Sequence, residues 1–538
     1  MSFFQPKLLS TFKNYSKKQL VSDIVAGIIV AIIALPLSIA LAIASGANPE
    51  QGIYTAIFAG FVIAALGGSK VNISGPTAAF ATIVAGIIAT QGMDGLVIAT
   101  IMAGIILILM GVCRLGSLIK YIPYTITTGF TAGIAVTIAI GQLKDFMGLT
   151  FAPGTHAVET LEKAEAIVKS ITTFNWQGFL VGAVALMILI VWPKVSKKIP
   201  GSLIVVLLGS AVVKIFSLDV NTIGDLYTVS SAFPMPSIPA ISLDKVIALI
   251  PNAFTIAILA AIESLLSCVV SDGMIGDKHN SNTELIAQGL GNVSSGIFGG
   301  IPATGAIART AANVKNGGRS PISGMVHAAV LLLVLLILMP YASWIPMPVI
   351  AAILFMVAYN MSEWRRFVHI CKTAPLTDIL VLVATFVLTV VFDLVVAIAV
   401  GLILTAFLFM KKMADSASLR TWNAEGDKKL PKHTVVFEIH GPMFFAATDK
   451  FLNFPRDDGT KVMIVRASDM TALDSTTVRN FENLLTECKK DGITLIFSHV
   501  HEDVLAVMKK AGLYSAIGEE NFCENIDKAL KRAEEIVK

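Results

Sequence analysis

The sequence predicts an all-α membrane domain of fourteen spans, built as two halves of seven with opposite orientation, followed by a small α/β domain. Three observations lead there. Hydrophobic residues fill 55% of the 538 positions and charged ones only 14%, whereas soluble domains average about a quarter charged. Lipid must therefore be the solvent for much of the chain. Apolar runs of spanning length recur from Val21 to Met410, and after Lys411 the composition turns polar.

The first 20 residues carry Lys7, Lys13, Lys17 and Lys18 and read as a cytoplasmic N-terminal segment. The run that follows is too long for a signal peptide and has no clean cleavage site, so it is expected to remain as the first span. The runs are 21–44, 52–67, 77–89, 95–113, 122–141, 176–193, 200–217, 247–271, 284–299, 304–313, 321–340, 346–360, 375–391 and 394–410. Two of them, 77–89 and 304–313, fall short of the about 20 residues of a full span. Each follows irregular Gly- and Pro-bearing backbone, at 69–76 and 299–303. The first run is expected to break at Pro36.

Basic residues set the orientation. With the N-terminus inside, the inside loops hold Lys70; Arg114 and Lys120; Lys194, Lys197 and Lys198; Lys278; Lys315 and Arg319; Arg365, Arg366 and Lys372; and finally Lys411 and Lys412. The longer outside loops hold fewer: Lys144, Lys163, Lys169 and Lys245. Both termini are then cytoplasmic, in a multi-pass protein of the cell membrane.

An internal repeat runs through the membrane domain. Glu50 opens a segment that ends at Gly67-Gly68 and leads into the broken stretch NISGPTAAF; Glu284 opens one that ends at Gly299-Gly300 and leads into IPATGAIAR. These are the third and tenth spans. Seven is odd, so the halves must be inverted relative to each other, and broken segments at matching positions of two halves point to a transporter's binding site.

The membrane domain is placed at 21–413, a polar linker at 414–432, and the α/β domain at 433–538. Within the last, strands are read at HTVVFEIHG, KVMIVRAS and GITLIFSH, with helices at 475–490, 502–511 and from Glu520 onward. Cys113, Cys268, Cys371, Cys488 and Cys523 lack metal-ligand spacing and read as small buried thiols. No ATP-binding motif, metal spacing or nucleophile–base motif is seen, so neither an enzyme nor a primary pump is expected, nor any cofactor or nucleic-acid partner.

The chain resembles the SulP sulfate-permease family of anion transporters over essentially its full length. ISGPTAAF, AIESLLS, DKHNSNTELIAQGLGN and GGIPATGAIART carry the resemblance, and the tail resembles a STAS domain through GPMFFAA and MTALDSTT. The resemblance implies a uracil-permease-like fold with core and gate domains, and a homodimer. FMVAYNMSEW and GPMFF look most like the branch that transports C4-dicarboxylates, with sulfate and bicarbonate as the other substrates implied.

The site residues follow from both readings. Half-helices starting near Thr77 and Thr304 would present unpaired N–H groups and positive dipole ends at membrane depth, over Thr77, Ala78 and Ala79 and over Thr304, Gly305 and Ala306. Two such ends can hold a small inorganic or carboxylate anion without a charged side chain. Arg309, five residues on, adds positive potential, as a matching arginine does in the family, or snorkels to the membrane edge. Glu263 is a solitary carboxylate in the eighth span, with Ser267 one turn away on the same face. Desolvation favours its neutral form, so it could carry H⁺ in step with the anion, or pair with Arg309. The bicarbonate branch resembled here places Asp and Thr at these positions to help hold Na⁺; Glu and Ser tilt the expectation to protons. Leu37 stands where relatives have Gln, with Ser38 as a partial substitute. In the tail, Thr476 matches a phosphorylated hydroxyl of STAS antagonists, with Ser475 beside it; the plain alternative is that Asp474 and Ser475 cap the helix. The expected function is proton-driven secondary uptake of a small anion by alternating access. Na⁺-coupled bicarbonate transport, an uncoupled anion channel and a sensor reporting to a cytoplasmic partner of the tail are the alternatives.

Overall fold

The computed structural model describes residues 4–12, 15–117, 123–152, 157, 159–196, 199–392, 394–422, 430–447 and 459–538. Lys13, Lys120, Lys197 and Lys198 of the orientation argument lie outside these. The chain divides into two compact units, Met1–Leu402 and Ile403–Lys538.

The first unit is helical. In chain order its helices are α1 (Lys7–Thr11), α2 (Lys17–Ala44), α3 (Pro49–Leu66), α4 (Ala81–Val112), α5 (Tyr124–Phe146), α6 (Thr160–Lys169), α7 (Trp176–Val195), α8 (Gly201–Phe216) and α9 (Ile223–Leu226). There follow α10 (Leu243–Ile275), α11 (Ser281–Ile297), α12 (Ile307–Lys315), α13 (Pro321–Ala342), α14 (Met347–Ser362), α15 (Trp364–Thr373), α16 (Leu376–Val391) and α17 (Leu394–Ser416), the last running across the boundary into the second unit. Two short strands, β1 (Ser74–Gly75) and β2 (Thr304–Gly305), interrupt them.

The fourteen apolar runs fall on helix, except that run 304–313 opens on strand at Thr304–Gly305, run 77–89 opens on extended Thr77, and residue 122 lies outside the described residues. Runs 77–89 and 95–113 share α4, which Gly92 divides with φ 68° and ψ −176°, an extended left-handed conformation that a side chain would oppose. Nine helices among the described residues are long and apolar enough to cross a membrane, and α8 and α16 are shorter apolar helices. The run through Pro36 does not break: α2 is continuous from Lys17 to Ala44 with the proline inside it. A membrane helix tolerates the lost N–H because neighbouring groups can satisfy the freed carbonyl. The polar helices α6 and α15 fall in stretches read as loops; each buries a narrow apolar face, Ala166 and Ile167 in the first and Ile370 in the second.

Small residues let the central helices approach closely. A Cβ on Gly104 of α4 would stand 2.6 Å from the Gly289 carbonyl of α11, and one on Gly289 would stand 2.5 Å from the Gly104 carbonyl. That reciprocal seam is how helices associate where lipid removes the hydrophobic drive.

The second unit is a five-stranded sheet in the order β3 (Ser418–Thr421), β4 (Thr434–His440), β5 (Val462–Asp469), β6 (Thr494–Ser498), β7 (Phe522–Cys523). β3 pairs antiparallel with β4 and the rest pair parallel. Helices α18 (Ser475–Lys490), α19 (Glu502–Lys510) and α20 (Leu513–Ile517) cover one face over Phe437, Val465 and Phe497, and α21 (Ile526–Val537) covers the other over Val436, Ile464 and Ile496. Strand β3 lies in the stretch read as a linker, where Trp422 is buried under the α21 layer. The last helix begins at Ile526 rather than Glu520, because Phe522 and Cys523 extend the sheet and Asn525 caps α21 by accepting from Lys528 N–H.

Candidate functional site

The two interrupted segments meet. β1 and β2 pair antiparallel, Ser74 opposite Gly305 and Gly75 opposite Thr304, and Ala306 N–H extends the pairing to the Ile73 carbonyl at 2.8 Å. Extended backbone cannot stand alone in lipid, where an unsatisfied N–H or C=O costs several kcal/mol; here each segment satisfies the other across 230 residues of chain. The ribbon is buried on all four residues.

Helix leaves each strand at once. After Thr77 the chain makes a 3₁₀ turn, Ala78–Phe80, which runs into α4. After Ala306 it enters α12 at Ile307. Neither start has a side-chain cap, so first-turn N–H groups at Ala78 and Ala79, and at Ile307 and Ala308, have no intrahelical partner. Ile307 and Ala308 are exposed and Thr77 is partly so. The second half-helix therefore starts three residues later than the sequence suggested. Thr304 and Gly305 are strand: Thr304 Oγ1 donates to the Ala260 carbonyl at 3.0 Å and lies 2.7 Å from Ser264 Oγ, which accepts from Gly305 N–H at 3.0 Å. Their polar groups are spent on the fold. Ala306 N–H is likewise taken by Ile73, which leaves Ile307 and Ala308 as the free donors the sequence reading missed.

Arg309 points back under the crossing. Its side chain is 2% exposed. Nη2 donates to the Pro76 carbonyl at 2.6 Å, while Nε and Nη1 have no partner. A Cβ on Gly75 would stand 2.6 Å from Nη1, so the glycine makes room for the guanidinium. Glu263 lies one residue along the same strand exit: its Oε2 accepts from Thr77 Oγ1 at 2.9 Å. Among the described residues no carboxylate stands within 4.0 Å of Arg309, so the two charges are not an ion pair; they flank residues 76 and 77 from two helices.

Ser267 shares a face with Glu263 but not its surroundings. Its hydroxyl donates to Asn72 Oδ1 at 2.7 Å and also lies 3.1 Å from Thr310 Oγ1. Asn72 in turn donates to Glu284 Oε1 at 2.8 Å. Glu284, 1% exposed, also accepts from Gln288 Nε2, Gly68 N–H and Ser69 N–H, so four donors surround it. Asn292 completes the brace by exchanging two hydrogen bonds with Ala303, each 2.9 Å. Ser38 is buried with its hydroxyl unpartnered, and Leu37 packs toward the cluster of Phe146, Val349 and Ile353. His327, 0% exposed with both ring nitrogens unpartnered, was not singled out in the sequence because one histidine in an apolar run carries no spacing signal.

A polar crossing of two broken helices, at matching positions of two halves, is what decides between an ordinary helical bundle and a transporter fold. A sequence model described as the sulfate permease family matches residues 20–385. The chain belongs to the sulfate permease family. A STAS domain model matches residues 426–529. Among family relatives, YvdB of Bacillus subtilis (strain 168), whose name assigns it to sulfate transport, is 39% identical over 96% of this chain and 98% of its own. The bicarbonate transporter BicA of Picosynechococcus is 33% identical over 79% and 78%. The solved transmembrane domain of a cyanobacterial BicA superposes with TM-score 0.63 at 29% identity, covering 72% of this chain and 98% of that one. Murine Slc26a9, an anion transporter solved in an inward-facing state, shares the fold with TM-score 0.89 at 18% identity, over 98% and 94%.

In the STAS unit, Asp474 alone caps α18: its Oδ1 accepts from Thr477 N–H at 2.9 Å and its Oδ2 from Phe445 N–H at 2.8 Å. Ser475 is exposed and Thr476 half-buried at the first turn. The five cysteines form no disulfide; Cys268 and Cys488 are buried as expected, but Cys113 is exposed at the C-terminal end of α4 and Cys371 and Cys523 are half-buried. No cluster of metal-ligating side chains occurs among the described residues.

Proposed function

We propose that this sulfate permease family member carries a small oxyanion, of the sulfate or bicarbonate class its relatives are named for, by alternating access and in step with a proton. The observation that carries the reading is the crossing itself. The free N–H groups of Ala78, Ala79, Ile307 and Ala308 form two positive helix ends flanking one antiparallel ribbon, with Arg309 buried beneath. Helix N-termini bind anions through N–H donors and dipole without a side-chain code, so the site reads charge and size.

Glu263 supplies the coupling. Ionised, it would repel an anion arriving at the neighbouring half-helix start; protonated, it can donate a hydrogen bond instead. Anion and proton therefore favour one another, and the favour is reciprocal. A sodium site would need several oxygen ligands. Thr77 Oγ1 is the side-chain contact of Glu263, and the Ser267 hydroxyl is committed to Asn72, which supports the proton. The residues behind the C4-dicarboxylate likeness lie elsewhere: Phe355 packs on Phe146 at 5.0 Å, and the GPMFF stretch is in the STAS unit. That favours the inorganic oxyanions. With the basic residues inside, both termini face the cytoplasm; the protein works in the cell membrane as a homodimer, and Thr476 or Ser475 offers the STAS unit a phosphorylation site that a cytoplasmic partner could read.

Radiolabelled uptake by the full-length protein in liposomes, over a panel of sulfate, bicarbonate and C4-dicarboxylates against imposed pH and Na⁺ gradients, tests this. Accumulation of an inorganic oxyanion driven by an inward proton gradient is expected. Accumulation that follows Na⁺ and ignores pH would make Glu263 a sodium ligand and end the proton reading.

A further inference from the structure

Beside the first half-helix lies a cavity of about 330 Å³, walled by Ala81 and Thr82 of α4, Gly141 and Asp145 of α5, and Lys163 and Ile167 of α6. Helix α6 is fastened to α5 by a hydrogen bond from Thr160 Oγ1 to Thr137 Oγ1, 3.2 Å. Thr160, Lys163 and Ile167 are spaced to share one helical face. Thr160 and Ile167 are 7% and 8% exposed, so this is the inward face of α6. Lys163 puts an ammonium where an amphipathic helix normally places an apolar side chain.

The glutamates around it do not neutralise it. Glu165 pairs with Lys169, Glu162 accepts from Glu159 N–H, and no carboxylate lies within 4.0 Å of Lys163 Nζ among the described residues. Nζ instead sits 4.0 Å from where a Cβ on Gly141 would stand. Burial pushes the Lys163 ammonium down from its ordinary value, and no anionic group offsets that. Lys144 and Asp145 also stand on the cavity wall, one charge of each sign, with Lys144 over the Phe151 ring at 4.9 Å, so the two add no net charge to the cavity. What is left over is Lys163.

We propose that this cavity is a second anion subsite, in which a small oxyanion pairs with Lys163 next to the half-helix whose N-terminus forms the transport site. It rests on the anion-transport reading, and it predicts a collecting site whose net positive charge raises the local anion concentration.

A cysteine at Gly141 reports the charge there, since its Cβ meets the Lys163 side chain only at ordinary contact distance. In full-length detergent-solubilised protein carrying Gly141→Cys, anionic and cationic methanethiosulfonates are compared by mass spectrometry at that position. The anionic reagent should react faster by a factor on the order of ten. Adding Lys163→Gln should bring the ratio near one, and Lys163→Arg should restore it. Inorganic sulfate or bicarbonate should slow the anionic reagent. A ratio unmoved by Lys163→Gln, or the lack of protection by both anions, overturns the subsite. Arg309→Ala should weaken transport and leave this ratio unchanged, so failure of the transport reading and failure of the subsite are told apart.

Discussion

Arg309 gives one donor to the Pro76 carbonyl and keeps Nε and Nη1 free beneath the crossing. A buried cation with unused donors is costly to the fold and is retained in membranes chiefly for function. Arg309→Ala should therefore leave an assembled protein but weaken anion binding by about tenfold or more, since a hydrogen bond to a charged group is worth roughly 1.5–3 kcal/mol. Titration of the purified variant with the transported anion measures this; wild-type affinity in a folded variant would place Arg309 outside the site. Glu284 is the opposite case. Four donors converge on it, so Glu284→Ala strands Asn72 Nδ2 and two backbone N–H groups in the interior, while Gln288 Nε2 keeps only Ser74 Oγ. Leaving a buried donor without its acceptor costs about 1–3 kcal/mol for each group, and size-exclusion chromatography in mild detergent should show the variant aggregating. A monodisperse peak like the wild type's would mean that the network is redundant.

At the scale of elements, the crossing depends on glycines at the points of closest approach. A Cβ at Gly305 would stand 2.7 Å from Asn72 Nδ2 and 3.1 Å from the Ser264 backbone. Gly305→Ala should displace β2 and abolish uptake while α10 and α11 remain packed; uptake within about twofold of wild type, a rate change worth under 1 kcal/mol, would show that the ribbon tolerates movement. The seam between α4 and α11 is tighter still, and Gly289→Leu should prevent assembly, because overpacking costs about 1–3 kcal/mol even where neighbours yield. Thermal melting in detergent reads that loss, and an unchanged transition would contradict the seam. Much of this level was legible in the chain. The short runs at 77–89 and 304–313, their Gly- and Pro-bearing approaches, and the paired acidic residues Glu50 and Glu284 located both half-helices. The pairing of β1 with β2 was not legible, because strands of two residues have no periodicity and the partner is 230 positions away. That pairing is also why the second half-helix starts at Ile307: Thr304 and Gly305 are drawn into the ribbon by Ser264, a contact invisible to local reading. Ser267 was assigned by helical spacing and by the threonine that the bicarbonate branch has at that position, and neither shows the competitor, Asn72, that takes its hydroxyl.

The whole chain divides at Leu402 and Ile403, inside α17, into a helical unit and a sheet-bearing unit with its own two-sided core. Composition turns polar only after Lys411, later than that division, because α17 stays apolar through Met410; strand β3 was hidden in a polar stretch read as linker, since a short edge strand needs few apolar residues. Truncation after Ser416 should leave a folded membrane unit, because its helices satisfy their own backbone groups. Retention of a monodisperse peak checks it, and complete aggregation would show that the units depend on each other. In this molecule the crossing is proposed to bind the anion while Glu263 carries the proton. The decisive measurement is Glu263→Gln in liposomes, with accumulation under an imposed proton gradient read alongside one-for-one anion exchange at equal pH. Accumulation should be lost while exchange persists, since the half-helix ends and Arg309 are intact. Accumulation equal to that of the wild type under the same gradient would contradict it and leave Glu263 as a hydrogen-bond acceptor for Thr77 and nothing more.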